Sequence, residues 1–168
     1  MSGQRSRITR AGMINGQPLV KELEEFTAPE IKKTMQDTRG GSFIPGQIMV
    51  GLEKMTSKFK VKGANQELLS AFGLAAGEVC QVDVKESHQD EDGNKFAIVY
   101  SLTGEVISVT ESASKMGELP DAELEMAVSA YKKTESGKII YEIDRNAQIL
   151  NLGKGDLMVE HRRNIGMA

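Results

Sequence analysis

Apolar residues return at every second position along most of the chain. From Lys54 to Lys62, Met55, Ser57, Phe59 and Val61 take one face, while Lys54, Thr56, Lys58, Lys60 and Lys62 take the other. That alternation predicts a half-buried strand with an all-polar outer face. Between Val79 and Glu86, Cys80, Val82 and Val84 alternate with Gln81, Asp83 and Lys85. Phe96, Ile98, Tyr100 and Leu102 share one face before Gly104 interrupts, and Glu105–Thr110 resumes as another extended run. Leu124–Lys133 and Lys138–Asp144 read as two more strands, joined through Glu135-Ser136-Gly137. Asp92-Gly93 and Ser136-Gly137 are the hairpin turns, because glycine tolerates the positive φ of a tight reversal. Leu19–Met35 reads as a further long strand, with Pro29 placing it near an edge or bulge.

One segment breaks this period. Ala64–Leu74 puts Leu68, Leu69 and Phe72 on one helical face, with Asn65 as N-cap and Gly73 as C-terminal stop. The sum is a mainly β, antiparallel sandwich or barrel-like fold with one α-helix. At 168 residues the chain suits a single domain, 1–168, and its 39% hydrophobic content supports a real core. Cys80 is the only cysteine, which excludes an internal disulfide framework and a Cys-x-x-Cys zinc site. No run of about 18 apolar residues is present, and the basic start lacks the apolar segment of a secretory signal. The expectation is no membrane anchor.

Charge is unevenly placed. Residues 1–10 carry Arg5, Arg7 and Arg10 and no acid, whereas residues 86–125 carry ten acids against Lys95 and Lys115. This acidic region reads either as a solvated hairpin or as a surface that repels polyanions or pairs with a basic partner. The net charge of −3 excludes strong nonspecific nucleic-acid binding by the chain as a whole.

Candidate chemistry is sparse. Nucleophilic catalysis needs a base within reach of a Ser or Cys. His88 stands beside a hairpin turn, His161 in the basic tail, and Cys80 among valines, where a free thiol is a small buried hydrophobe. Asp90-Glu91-Asp92-Gly93 opens like a calcium loop but lacks the later ligands. Gly137-Lys138 and Gly153-Lys154-Gly155 lack the phosphate-cradling frame. No catalytic residue, metal site or cofactor is expected. Two stretches exceed the needs of a simple globular domain. Residues 38–51 are rich in glycine yet carry Phe43, Ile44, Ile48, Met49 and Val50, so they either fold back on the core or dock elsewhere. The tail 156–168, ending His161-Arg162-Arg163-Asn164-Ile165-Gly166-Met167-Ala168, is either a frayed terminus or an arm laid on a neighbour.

These stretches carry a family resemblance. Ile14-Asn15-Gly16, Glu25-Phe26-Thr27-Ala28-Pro29-Glu30-Ile31, Arg39-Gly40-Gly41 leading to Gly51-Leu52, Phe72-Gly73-Leu74, Tyr141-Glu142-Ile143-Asp144 and His161–Met167 follow one another in order. The chain resembles the major tail tube proteins of contractile phage tails, in the P2-like branch that includes R-type pyocin tubes. The residues before Ala11 and the run Asp121–Tyr131 depart from that pattern.

The resemblance implies a structural subunit, not an enzyme, that forms stacked hexameric rings whose sheets join around a channel. It implies that Arg39, Gly40, Gly41, Phe43, Ile44 and Ile48 of the 38–51 loop, and Arg162, Arg163 and Ile165 of the C-terminal arm, meet neighbouring subunits or rings. It implies as partners further copies of the chain, the sheath, baseplate and tail terminator proteins, a tape-measure protein in the lumen, and DNA in transit if the particle is a phage. The location would be a virion or tailocin particle made in the bacterial cytoplasm. A channel that DNA must traverse should avoid a dense lattice of phosphate-binding cations. Asp90, Glu91, Asp92, Glu105 and Glu111 are therefore the lumen-facing candidates, and the Lys54–Lys62 row is expected to meet an acidic sheath surface. Competing readings are the tube of a related contractile injection system and a monomeric ligand-binding β-barrel.

Overall fold

The computed structural model describes residues 3–18, 23–63, 78–113 and 115–167. The helix expected over 64–74 lies outside these. The strands are β1 (Arg5–Ile14), β2 (Gln17–Pro18), β3 (Leu23–Thr27), β4 (Lys33–Thr38), β5 (Gly46–Leu52), β6 (Met55–Lys62), β7 (Cys80–Asp90), β8 (Lys95–Glu111), β9 (Asp121–Glu135), β10 (Lys138–Asp144) and β11 (Ile149–Asn151). A short helix, α1 (Val159–Asn164), follows them. All pairings are antiparallel, and a nine-stranded sheet runs β11-β10-β9-β8-β7-β1-β2, with β6 added to β9 and β3 added to β6. The strands β4 and β5 form a separate two-stranded sheet.

Period two places the core as the sequence predicts. Met55, Phe59 and Val61 of β6, Cys80, Val82 and Val84 of β7, and Ile98, Tyr100 and Leu102 of β8 are buried with Leu124, Met126 and Val128 of β9. Ser57 is buried in this row too, and its hydroxyl donates to the Thr27 carbonyl at 2.7 Å, which removes the cost of an unpaired hydroxyl there. The sheet folds over itself. Phe26 of β3 stacks on Phe59 at 5.4 Å and meets Tyr100 edge-on at 5.2 Å, although β6 and β9 separate β3 from β8 in the sheet.

Local irregularities make that closure. Glu105–Thr110 is not a separate strand but the continuation of β8, which runs 17 residues through register shifts at Thr103/Gly104 and Val106/Ser108. The first half of β9 pairs with β6 and the second half with β10, so β9 serves two neighbours in succession. At the bend a Cβ on Gly104 would sit 2.0 Å from the Ala127 carbonyl oxygen. Bulges of this kind let one strand turn from one layer into the next.

Two expectations differ from the structure, and one element was not foreseen. The long strand expected over Leu19–Met35 is broken, since β3 ends at Thr27 and β4 begins at Lys33; Pro29 interrupts the ladder between them. The Arg-rich start, for which the alternation predicted no element, is strand β1, paired with β7. The Gly-rich 38–51 stretch is largely hairpin, its second half being β5.

A candidate assembly surface

Apolar side chains in β4 and β5 have little core to enter. Thr38 pairs with Gly46 and Lys33 with Leu52, so the hairpin spans residues 33–52. Among the described residues its ties to the body are Met49 and Leu52, which pack against the core, while at the base Glu53 N–H donates to the Lys32 carbonyl at 2.8 Å. The tip, 39–45, is closed locally. Gly40 takes a φ of +51°, Ser42 N–H donates to the Arg39 carbonyl at 2.9 Å, and Ser42 Oγ donates to the Ile44 carbonyl at 2.8 Å. Gln47 Nε2 donates to Asp37 Oδ1 across the strands at 3.1 Å. The result presents Phe43 at 92% and Ile44 at 74% exposure, with Ile48, Val50 and Met35 exposed behind them. Arg39, Gly40, Gly41, Phe43, Ile44 and Ile48 are thus brought together on one projecting element.

Arg162, Arg163 and Ile165 lie elsewhere, on and just after α1. The segment folds onto its own chain. Arg162 Nη1 contacts Asp156 Oδ2 at 2.6 Å and donates to the Gln148 carbonyl at 2.9 Å. Asp156 Oδ1 also accepts from Leu150 and Met158 N–H. Partial desolvation raises the Asp156 carboxyl, but these donors and Arg162 outweigh it and hold the pKa below 3.8. Arg163 and Ile165 are left exposed.

The acidic candidates are not gathered in one place. Asp90 is buried at the β7–β8 turn, where its carboxylate accepts from the backbone N–H groups of Asp92 and Asn94 and from Asn94 Nδ2. Desolvation opposes ionisation there, yet the Asn94 and Asp92 donors and Arg5 pull its pKa below 3.8. Glu91 and Asp92 are exposed on the same turn, and Glu105 is half-buried ten residues along β8 from Lys95, about 33 Å at strand rise. Glu111 is exposed at the far end of β8.

Two charge arrangements were not legible from spacing. Glu86, buried on the inner face, lies 2.7 Å from Arg7 Nε, 3.4 Å from Arg10 Nε and 2.9 Å from His88 Nε2. Arg5 pairs with Glu135 and lies over the Phe96 ring. The basic start is thereby stitched to the body, and only the sheet register brings residues so far apart in sequence together. The lysine row of β6 is flanked as well: Lys58, Lys60 and Lys62 stand opposite Glu125, Glu123 and Asp121 of β9, and Glu24 contacts Lys60 and Lys62. The row expected to meet an acidic sheath is already largely matched within its own sheet. Among the described residues no group of three or more His, Cys, Asp or Glu is arranged to hold a metal ion.

The sequence signature of the family described as Phage tail tube protein FII matches residues 9–166. The tail tube protein of Escherichia phage P2 is 21% identical over 159 residues, covering 92% of each chain. Among solved structures, a chain of the sheath-tube complex of an extracellular contractile injection system, PVC, in the extended state superposes with a TM-score of 0.57 at 8% identity. The match covers 75% of this chain and 88% of that one. A chain of the PVC sheath/tube terminator structure gives a TM-score of 0.56 at 9% identity, covering 75% and 93%. These structures share the fold.

Proposed function

Since the chain belongs to the phage tail tube protein FII family and is a structural tube subunit, we propose that its copies form stacked hexameric rings in a contractile tail. The observation that carries the reading is the β4–β5 hairpin, an apolar element that the body of the subunit leaves uncovered. A contiguous apolar projection on a monomer is a contact surface awaiting a partner. Heterologous contacts between copies close into rings or continue as helical stacks. Arg39, Gly40, Gly41, Phe43, Ile44 and Ile48 supply the contact to the adjoining subunit or ring, and Arg163 and Ile165 add a second one. Arg162 acts behind them by seating α1.

The function follows from assembly, and no covalent chemistry is assigned to any residue. The channel conducts DNA in a phage, or serves as the driven tube in a headless particle. Sheath, terminator, baseplate and tape-measure proteins are the expected partners. The likeness to the PVC sheath-tube and sheath/tube terminator structures supports the sheath and the terminator among these. Glu91, Asp92, Glu105 and Glu111 remain the channel-facing proposal; Asp90 drops out of it, because its buried carboxylate is bonded to its own turn. Glu105 has the best support, because it shares the outer face of the sheet with Glu123 and Glu125, which stand opposite Lys60 and Lys58 of β6 and offset their charge. Carboxylates there repel phosphate and keep DNA from sticking.

Electron microscopy of concentrated protein, alone and with baseplate added, tests the reading. Rings or hollow filaments are expected. A strict monomer under both conditions overturns it in favour of a ligand-binding barrel. For the channel, Glu105→Lys with Glu111→Lys should make assembled tubes retain DNA in a salt-dependent manner; unchanged retention would remove these residues from the lumen.

A further inference from the structure

A second exposed apolar cluster lies between β8 and β9. Met116 is fully exposed and Leu119 is 65% exposed, with the acidic Glu118 between them. The cluster is fixed to the carboxyl end of β6, where Gly63 N–H donates to the Pro120 carbonyl at 2.8 Å and Lys62 pairs with Asp121. The β4–β5 hairpin leaves from the opposite end of the same strand, because Leu52 is three residues before Met55. The base of the hairpin and the cluster are therefore separated by the length of β6, eight residues, or about 23 Å.

We propose that the Met116/Leu119 cluster of one copy receives the hairpin tip of the next, a head-to-tail contact that rests on the tube reading above. A contact between unlike patches on successive copies is heterologous when each copy gives its hairpin to one neighbour and receives from another, and such a contact continues from subunit to subunit as a ring or a stack. The chemistry is complementary. Phe43 and Ile44 need apolar cover, which Met116 and Leu119 provide; a methionine adapts its thioether to an aromatic ring. Arg39 is exposed on the tip and Glu118 on the receiving cluster, so the same docking brings opposite charges together at the rim.

Site-directed cross-linking in assembled tubes tests this. Phe43→Cys with Leu119→Cys should give a ladder of covalent multimers with a short bismaleimide, and each single variant should give none. The native Cys80 does not interfere, because burial pushes its thiol pKa up to about 11 and keeps it out of reagent reach. As a second measurement, Arg39→Glu should raise the critical concentration for tube formation about two- to five-fold, and adding Glu118→Arg should restore it. Normal tubes with no Phe43–Leu119 ladder and no restoration would overturn the receiving site while leaving the tube reading intact. A ladder from Phe43→Cys with Ile165→Cys instead would place the receiver on the C-terminal segment. Failure of the unsubstituted chain to assemble, even with baseplate, would overturn both.

Discussion

The Glu86 carboxylate is shared by two arginines and a histidine, and that arrangement decides how β1 is attached. Residues 5–9 of β1 are exposed, Ile8 among them, so this half of the strand gains little from apolar burial. Its backbone ladder and its ion pairs hold it. Glu86→Gln leaves Arg10, itself mostly buried, without a carboxylate. The expected loss is about 2 kcal/mol, below the 3–5 kcal/mol of a fully buried pair because Arg7 is half-exposed. The shift of a urea midpoint measures it, and a change under about 0.5 kcal/mol would show that the ladder alone carries the strand. Gly104 sets a different constraint. Its neighbour across the bend is backbone, at 2.0 Å from any added Cβ, and backbone cannot rotate away. Gly104→Ala should therefore cost about 3 kcal/mol, read from the same denaturation curve.

Among the elements, α1 is short and buries none of its own residues. It holds its place through Asp156 and Arg162. The folded pKa of Asp156 lies below 3.8, so its contribution is complete above the unfolded value and is lost as pH falls through the folded one. Amide exchange at Arg162, Ile165 and Met167, corrected for its intrinsic pH dependence, should rise selectively as the pH falls below the ordinary aspartate range, ahead of the β6–β9 ladder. Asp156→Asn should produce the same local rise at neutral pH. Equal protection in both proteins would assign the docking to Met158 packing instead. The hairpin poses the opposite case: regular pairing without burial. Composition located its apolar residues, but the Gly-rich character disguised β5 as loop, because glycine lowers strand propensity without preventing the pairing that β4 supplies.

For the whole molecule, folding and assembly draw on different residues. Every residue from 42 to 48 is exposed, so deleting them should leave the thermal midpoint within about 4 °C. The same deletion should abolish stacking in electron micrographs. Full-length tubes from the deleted chain would show that the hairpin is dispensable for assembly. A large drop in the midpoint would show that it supports the fold instead.

Much of this was legible in the order of residues. Alternation located β6 and β7 with their buried faces, the extended runs of β9 and β10 were visible too, and Asp92-Gly93 and Ser136-Gly137 marked the reversals, since side-chain period and turn conformation are local properties of the backbone. The apolar excess at Phe43, Ile44 and Ile48 was visible as well, being a matter of composition. Tertiary structure alone decided the rest. Arg7 and Arg10 meet Glu86 across roughly 80 positions of sequence, and Met116 and Leu119 stand at the far end of β6 from the hairpin. Such neighbours are set by strand order and register, which depend on how the folded sheet closes its core. A charge or an exposed methionine carries no local mark of the strand that will lie beside it.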